Sequence, residues 1–285
     1  FDLSGEFHGA DTILGGEGND QIIGNGGADT LYGGIGDDVI IGDDVVSLTD
    51  GPAVLAGEYH ADDFIYGGDG NDWLEGSGGS DEIVGGAGDD LIFGDALGLA
   101  EEFHGNDVLD GGDGNDEIQA GAGNDVLLGG AGNDQLIGDA GNDILNGGSG
   151  VDVLAGGAGD DRYIFNRGDA SELTAASQAN TIVDSEGNNT LVINGVDINN
   201  VRVESGTGFI RINYFDETIF MTDSDFAAIK TFELNDEAYT QDEFLLALFS
   251  ANKLLGGPRP FIGGFQVAVG FDTADYIFGN GNRDQ

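Results

Sequence analysis

The chain has 285 residues, of which 54 are acidic and 8 are basic, so its formal net charge is −46; it contains no cysteine. This charge repels phosphate backbones, and we therefore expect no nucleic-acid binding. The absence of thiols excludes disulfides and zinc-thiolate sites, and the longest apolar run, residues 244–249, is far too short to insert across a bilayer of about 30 Å.

A nine-residue unit, Gly-Gly-x-Gly-x-Asp-x-(Leu/Ile)-x, recurs from Glu6 to about Ile164. Residues 15–23 read Gly-Gly-Glu-Gly-Asn-Asp-Gln-Ile-Ile, and residues 129–137 read Gly-Gly-Ala-Gly-Asn-Asp-Gln-Leu-Ile. Each unit predicts a glycine-rich turn and then a short strand whose Leu or Ile points inward. Acidic, glycine-rich sequence is commonly disordered, but an apolar residue at every ninth position indicates a packed core.

The repeat region needs a cation from outside the chain. Every lysine and arginine lies at or after Arg162, so this region holds 36 carboxylates and no such side chain. Glycine-rich turns offer backbone carbonyls, the Asp adds a hard anionic oxygen, and calcium takes six to eight such oxygens at about 2.3 to 2.6 Å. One such Asp alone is more commonly a solvated turn residue; fifteen in register favour calcium.

These units resemble the RTX nonapeptide repeats of secreted bacterial toxins, hydrolases and adhesins, and the resemblance covers over half of the chain. It implies an all-β fold, a right-handed parallel β-roll over residues 1–165, in which two units make one turn. Loops two units apart then stack at about 4.8 Å and enclose calcium, about ten to thirteen ions in all.

The predicted calcium ligands are the aspartate of each unit and the first glycine of the consensus loops. The aspartates are Asp11, Asp20, Asp29, Asp38, Asp63, Asp72, Asp81, Asp90, Asp107, Asp116, Asp125, Asp134, Asp143, Asp152, Asp161, Asp275 and Asp284. The glycines are Gly15, Gly33, Gly67, Gly85, Gly111, Gly129 and Gly147.

Three units begin with Glu-(Phe/Tyr)-His in place of Gly-Gly-x, and they contain all the histidines, His8, His60 and His104. Insertions at about 42–57 and 94–101 precede the second and third of these units. Without the insertions, successive copies are 36 residues apart, which predicts that all three lie on one edge of the roll, about 9 to 10 Å apart. The opposite edge carries only consensus loops.

The histidines have three interpretations. Imidazole binds transition metals and titrates near neutral pH, but two nitrogens on one zinc ion lie roughly 3 to 3.5 Å apart, which the predicted spacing exceeds. The favoured interpretation is that each Glu-(Phe/Tyr)-His closes an inserted loop and packs its aromatic ring there. Contact with a partner is the third.

After the repeats, residues 166–269 predict a β-rich capping domain, because a solenoid must cover its open end. A helix is expected near residues 240–253, with Thr240 as its N-cap. Strands are expected at residues 181–183, 190–193, 201–203, 209–215 and 218–221.

The repeat resumes in residues 270–285, where residues 274–285 align with residues 10–21. This predicts either a tandem neighbouring module or a head-to-tail homo-oligomer, since a contact that does not close on itself builds a filament.

No catalytic motif is present: the chain has no Gly-x-Ser-x-Gly, no His-Glu-x-x-His and no Gly-rich loop ending in Lys-Ser/Thr. We therefore expect no enzyme but a calcium-binding structural or adhesive module, extracellular or on the cell surface. The resemblance implies a Gram-negative source and type I secretion of the unfolded chain. The alternative is a calcium-dependent folding and secretion domain of a larger toxin or hydrolase.

Overall fold

The computed structural model describes residues 9–43, 60–96, 99, 103–169, 179–215, 217–235 and 237–250, together with short strands at 254–255, 261–262 and 265–266. Its strands form two long sheets that run side by side along the repeats. Strands alternate between these sheets, so each turn of the roll gives one strand to each.

Neighbouring strands of the roll are parallel in both sheets. The first sheet contains β1 (Thr12–Glu17), β3 (Thr30–Ile35), β5 (Phe64–Asp69), β7 (Glu82–Ala87), β9 (Val108–Asp113), β11 (Val126–Ala131), β13 (Ile144–Ser149) and β15 (Arg162–Asn166). The second contains β2 (Gln21–Ile23), β4 (Val39–Ile41), β6 (Trp73–Ser77), β8 (Leu91–Asp95), β10 (Glu117–Ala122), β12 (Gln135–Ala140) and β14 (Val153–Ala158).

The pairing register sets one turn of the roll at eighteen residues, as when Ile13 pairs with Leu31. Two turns are longer: Leu31 pairs with Ile65, 34 residues on, and Ile83 pairs with Leu109, 26 residues on. The excesses over eighteen are 16 and 8 residues, the lengths of the two predicted insertions. The insertions therefore leave the strand register unchanged.

The core is the stack of inward-facing Leu and Ile side chains between the two sheets. Leu31, Leu74 and Leu136 are wholly buried, and burying each such side chain contributes about 1.5 to 3 kcal/mol. Ile13 occupies the position of the first unit that is expected to point inward, but it is only partly buried, because no described strand precedes β1.

The second residue of most loops has a positive φ, and after the first turn such a glycine lies against the preceding turn. Gly34 has a φ of 120°, and a Cβ there would lie 2.1 Å from the carbonyl oxygen of Gly16. On the edge that carries the insertions, this place is taken in three loops by Asn25, Ser77 and Asp139, with φ of 74°, 86° and 70°. Asn and Asp tolerate this conformation better than most residues.

Both sheets continue beyond the repeats into the cap. The first sheet adds β17 (Asn189–Asn194), β21 (Ile229–Leu234) and β22 (Glu237–Thr240); the second adds β16 (Asn180–Ile182), β20 (Glu217–Thr222), β19 (Phe209–Tyr214), β18 (Val201–Ser205) and β23 (Leu254–Leu255). The strands β24 (Phe261–Ile262) and β25 (Phe265–Gln266) pair with each other. Two helices, α1 (Asp223–Ala228) and α2 (Gln241–Ser250), accompany them.

The helix expected near residues 240–253 is α2. The Thr240 hydroxyl accepts the backbone N–H of Glu243 at 3.3 Å, as an N-cap does. The ring of Phe244 stacks on Phe232 with 4.0 Å between centroids, which anchors α2 to β21.

A parallel β-roll followed by a small β-rich cap is therefore the observed fold, as predicted. The strands β21, β22, β23, β24 and β25 and the helix α1 were not predicted. Most of the first insertion, part of the second and the whole of residues 270–285 fall outside the described residues. In the described part, no helix is long and apolar enough to cross a membrane.

Candidate metal centre

The unit aspartates form a hydrogen-bonded ladder along each edge of the roll. The Oδ1 atom of Asp38 accepts the backbone N–H of Asp20, one turn earlier, at 2.7 Å, and Asp72 accepts that of Asp38 at 2.6 Å. This bond recurs at every turn and fixes each carboxylate against its neighbour.

The two edges carry separate ladders. The regular edge consists of the loops that lead from the first sheet to the second, and its ladder is Asp20, Asp38, Asp72, Asp90, Asp116, Asp134 and Asp152. The modified edge consists of the loops that lead back, and its ladder is Asp11, Asp29, Asp63, Asp81, Asp107, Asp125, Asp143 and Asp161.

The second carboxylate oxygen of these aspartates, Oδ2, is buried without a hydrogen-bond partner. This holds for fourteen of the fifteen ladder residues, all except the exposed Asp11, as far as the described residues extend. Leaving one buried polar atom unsatisfied costs about 1 to 3 kcal/mol, and more when it is charged. Because no Lys or Arg precedes Arg162, the partner that fits this row of oxygens is a bound cation.

Backbone carbonyls meet these carboxylates at the first glycine of each loop. A Cβ on Gly33 would lie 2.3 Å from Asp38 Oδ2 and 2.5 Å from the carbonyl oxygen of Gly67, one turn later. The same convergence recurs along the regular edge at Gly15, Gly67, Gly85, Gly111 and Gly129, and the atoms nearest to a Cβ on Gly147 belong to Asp152. Glycine is thus required where two oxygens from successive turns come together.

From Asp29 to Asp161, burial raises the pKa of the ladder carboxylates, and neighbouring carboxylates raise it further. The pKa of Asp90 rises to about 7 and that of Asp107 to about 8, and Asp81, beside Asp107 and Asp63, reaches about 9. The backbone N–H that each accepts offsets only part of this effect. Protein groups alone therefore disfavour ionised carboxylates here at neutral pH, whereas a divalent cation between them favours ionisation.

This donor set fits calcium. It consists of carboxylate and carbonyl oxygens, which are hard ligands, and it contains neither thiolate nor imidazole. In the described ranges no three His, Asp or Glu side chains surround a common point, so backbone carbonyls must supply much of the coordination. The Asp and Gly residues named above would hold the ion, and its role is to neutralise and cross-link successive turns.

The described histidines lie on the modified edge, in two separate pairs with aspartate. His104 Nδ1 is hydrogen-bonded to Asp95 Oδ2, and His60 Nδ1 lies 3.9 Å from Asp43 Oδ2. Burial lowers the pKa of the His60 imidazole. At His104 burial acts in the same direction, but the hydrogen bond to Asp95, the charge of Asp95, the Leu99 carbonyl and the charge of Asp107 together outweigh it and raise the pKa. His8 lies outside the described residues, and the role of all three remains a prediction.

Asp43 and Asp95 were missed by sequence reasoning. Each follows the first glycine of its loop, and Asp43 Oδ2 accepts the N–H of Ala61 at 2.9 Å, just after His60. The ring of His60 packs on Phe103, with 4.9 Å between centroids. These contacts join the two ends of each insertion, and the signal in the sequence was Gly-Asp in place of Gly-Gly.

Fold and site together define a calcium-binding parallel β-roll. The predicted ligands Asp275 and Asp284 lie outside the described residues, and the assignment of individual ligands stays a prediction.

The comparison with protein families agrees with this class. The sequence model of the RTX calcium-binding nonapeptide repeat matches in four copies, at residues 9–40, 66–96, 105–136 and 137–169. The chain is an RTX-repeat protein. The gap between the first and second copies contains the first insertion, and the gap between the second and third contains most of the second insertion. No curated protein matches the chain in a sequence comparison.

Proposed function

We propose that this chain is a non-catalytic structural module of a secreted or cell-surface protein, which becomes rigid when it meets millimolar calcium. The observation that carries the proposal is the row of fourteen buried Oδ2 atoms without a hydrogen-bond partner in the described residues. Such a row makes the folded roll depend on its ions. Calcium thus decides whether the chain folds, and not merely how stable it is.

Mass action supports an extracellular setting. At a cytosolic calcium concentration near 10⁻⁷ M, sites with dissociation constants around 10⁻⁴ M stabilise nothing, whereas at 10 mM each contributes about 2.7 kcal/mol. Meanwhile the 36 carboxylates of the repeat region repel one another. The chain then stays unfolded inside a cell, as export through a type I secretion system of a Gram-negative bacterium requires, and folds outside.

The second candidate is a folding and secretion domain that serves a toxin or hydrolase encoded elsewhere in a longer protein. Calcium-dependent folding suits both roles. The nonapeptide pattern that resumes at Ala274 favours the structural role, because it provides for a further roll or a neighbouring copy. A catalytic domain in the same polypeptide would favour the second candidate.

Circular dichroism during a calcium titration tests the proposal. We expect a cooperative gain of strand signal between micromolar and millimolar calcium, complete loss with chelator, and no comparable gain with magnesium, which holds its water more tightly and demands stricter geometry. A chain that keeps its strand content in chelator at pH 8 would overturn it.

A further inference from the structure

The two insertions return to the roll through equivalent pairs of an aspartate and a histidine. At the second insertion both nitrogens of His104 are engaged, Nδ1 with Asp95 and Nε2 with the carbonyl of Leu99 at 3.2 Å. At the first insertion His60 Nδ1 lies 3.9 Å from Asp43 Oδ2, which is beyond hydrogen-bond distance. The same kind of pair is thus closed at one insertion and open at the other.

The open pair leaves three buried polar atoms without a partner. Both ring nitrogens of His60 and Oδ1 of Asp43 form no hydrogen bond within the part of the chain that the structure describes. The two side chains are nevertheless only 2 % and 0 % exposed, and buried polar groups in proteins are nearly always paired. The pair therefore suits a ligand that binds an imidazole nitrogen and a carboxylate oxygen together.

The space beside His60 has room for such a ligand. A Cβ on Gly78 would lie 2.9 Å from His60 Nδ1 and 3.0 Å from the carbonyl oxygen of Phe103. Both atoms therefore border one space that the absence of a side chain at Gly78 leaves open. The ring of His60 packs on that of Phe103, which holds the imidazole beside this space.

The donor atoms favour a transition metal over calcium. Zinc binds both imidazole nitrogen and carboxylate oxygen, whereas calcium takes oxygen ligands. Two ligands of one zinc ion lie roughly 3 to 3.5 Å apart. The 3.9 Å between His60 Nδ1 and Asp43 Oδ2 exceeds this only slightly, and a rotation of the Asp43 carboxylate can supply the difference. The ladder sites, in contrast, offer oxygen alone.

We propose that Asp43 and His60 bind one divalent transition-metal ion of the zinc type where the first insertion returns to the roll. Asp43 supplies Oδ1, because its Oδ2 accepts the N–H of Ala61, and His60 supplies Nδ1. The carbonyl oxygen of Phe103 is a third donor, and water completes the shell. The ion neutralises a buried carboxylate in a region without Lys or Arg, and it replaces the hydrogen bond that the other pair forms directly.

This site is separate from the calcium ladders, and it goes beyond the proposed function, which needs no transition metal. The metal fastens the first insertion to the roll. Through Phe103 it also joins the return of the second insertion, so the two inserted segments are held at one place on the modified edge. Because Asp43 and His60 meet only in the folded roll, the site is tested in saturating calcium.

The test is titration of the chain with zinc, followed by calorimetry, and with cobalt, followed by visible absorption. We expect one ion per chain, with cobalt bands typical of nitrogen and oxygen ligands. His60→Gln should weaken binding at least tenfold, because even a change behind a metal ligand costs about 10- to 100-fold in affinity. The matched control, His104→Gln, removes an imidazole whose nitrogens are already engaged, and it should bind zinc like the parent chain.

A second variant and a folding measurement protect the result against misfolding. Asp43→Asn should also weaken zinc binding, and every variant should show the same calcium-induced strand signal by circular dichroism. Equal zinc affinity of His60→Gln and His104→Gln, or no zinc binding by a chain that folds with calcium, would overturn the site and leave the proposed function standing. Failure of the parent chain to fold with calcium would overturn the proposed function instead.

Discussion

Asp161 donates its backbone N–H to the side-chain oxygen of Asn189, 2.8 Å away, at the place where earlier turns of the modified edge have an aspartate. The amide nitrogen of Asn189 donates in turn to Asp184 Oδ2 at 2.7 Å and to the carbonyl of Glu186 at 2.9 Å. Both ends of this amide are satisfied by protein groups, so Asn189 itself needs no cation.

Replacing this amide with a carboxylate should destabilise the cap. Asn189→Asp removes both donated hydrogen bonds and places a second carboxylate against Asp184. We expect a loss of about 1 to 3 kcal/mol in the free energy of unfolding, measured by urea denaturation in saturating calcium. The control Asn199→Asp adds the same charge at an exposed position; an equal loss in both variants would contradict the role given to Asn189.

Asp89 and Asp90 are neighbours in one loop, and substitutions at the two positions distinguish the role of a buried ladder carboxylate from that of an exposed one. Asp90→Asn keeps an oxygen for the N–H of Asp72 and neutralises a buried carboxylate. We expect calorimetry to show one or two fewer calcium ions, and a loss of up to about 2.7 kcal/mol per lost site at a calcium concentration 100 times the dissociation constant. Asp89→Asn removes the same charge from an exposed loop position, and it should leave the calcium count unchanged.

The raised pKa values give the calcium-free chain a distinctive pH dependence. Burial raises the pKa of Asp81 from 3.8 to about 9 and that of Asp107 to about 8. Because the folded state holds these protons more tightly, their stabilising effect is full below about pH 4 and is lost as the pH rises through about 8 to 9. In chelator, circular dichroism should therefore show more strand at pH 5 than at pH 8.

Calcium should reverse this pH dependence, so that the folded state is favoured at pH 8 over pH 5, because protons and calcium compete for the same oxygens. The calcium concentration at half-folding should rise as the pH falls from 8 to 5. A strand signal in chelator that does not change with pH would show that the ladder carboxylates are not desolvated.

Alanine substitutions at two glycines with similar backbone conformation distinguish the cost of a steric clash from the cost of backbone strain. Gly16 and Gly34 have φ of 110° and 120°, but only at Gly34 would a Cβ meet a backbone atom, 2.1 Å away. Gly16→Ala should cost about 1 to 2 kcal/mol from strain alone, and Gly34→Ala should cost more. Urea denaturation of dilute protein in saturating calcium measures both; equal costs would refute the close stacking of turns.

The roll was predictable because its determinants are local and periodic. The nine-residue period gives strand, turn and inward residue, and the insertions can be subtracted because pairing resumes in register, as Leu31 and Ile65 show. Asn189 was not predictable as a ladder end, because 28 residues separate it from Asp161 in place of eighteen.

The cap lacks such a period, and its less regular elements were missed. The helix α1 has six residues, and its capping box at Thr222 and Asp225 is too short a signal without an apolar stripe. The strand β22 has no buried residue among those described and depends on antiparallel pairing with β21. At the site, Asp43 and Asp95 each replace the second glycine of one consensus loop. Their hydrogen bonds to Ala61 and His104 depend on where each insertion returns to the roll, which the sequence does not show.

The two edges of the roll differ in whether their loops carry extra residues. Segments of 16 and 8 extra residues leave from the modified edge while strand pairing stays in step, and the described part of the regular edge has no such segment. The regular edge thus keeps a constant loop length in its described part, and the modified edge accepts extra segments of two different lengths. A peptide grafted between Asp43 and His60 would be displayed at a fixed height along a rod without altering the rod.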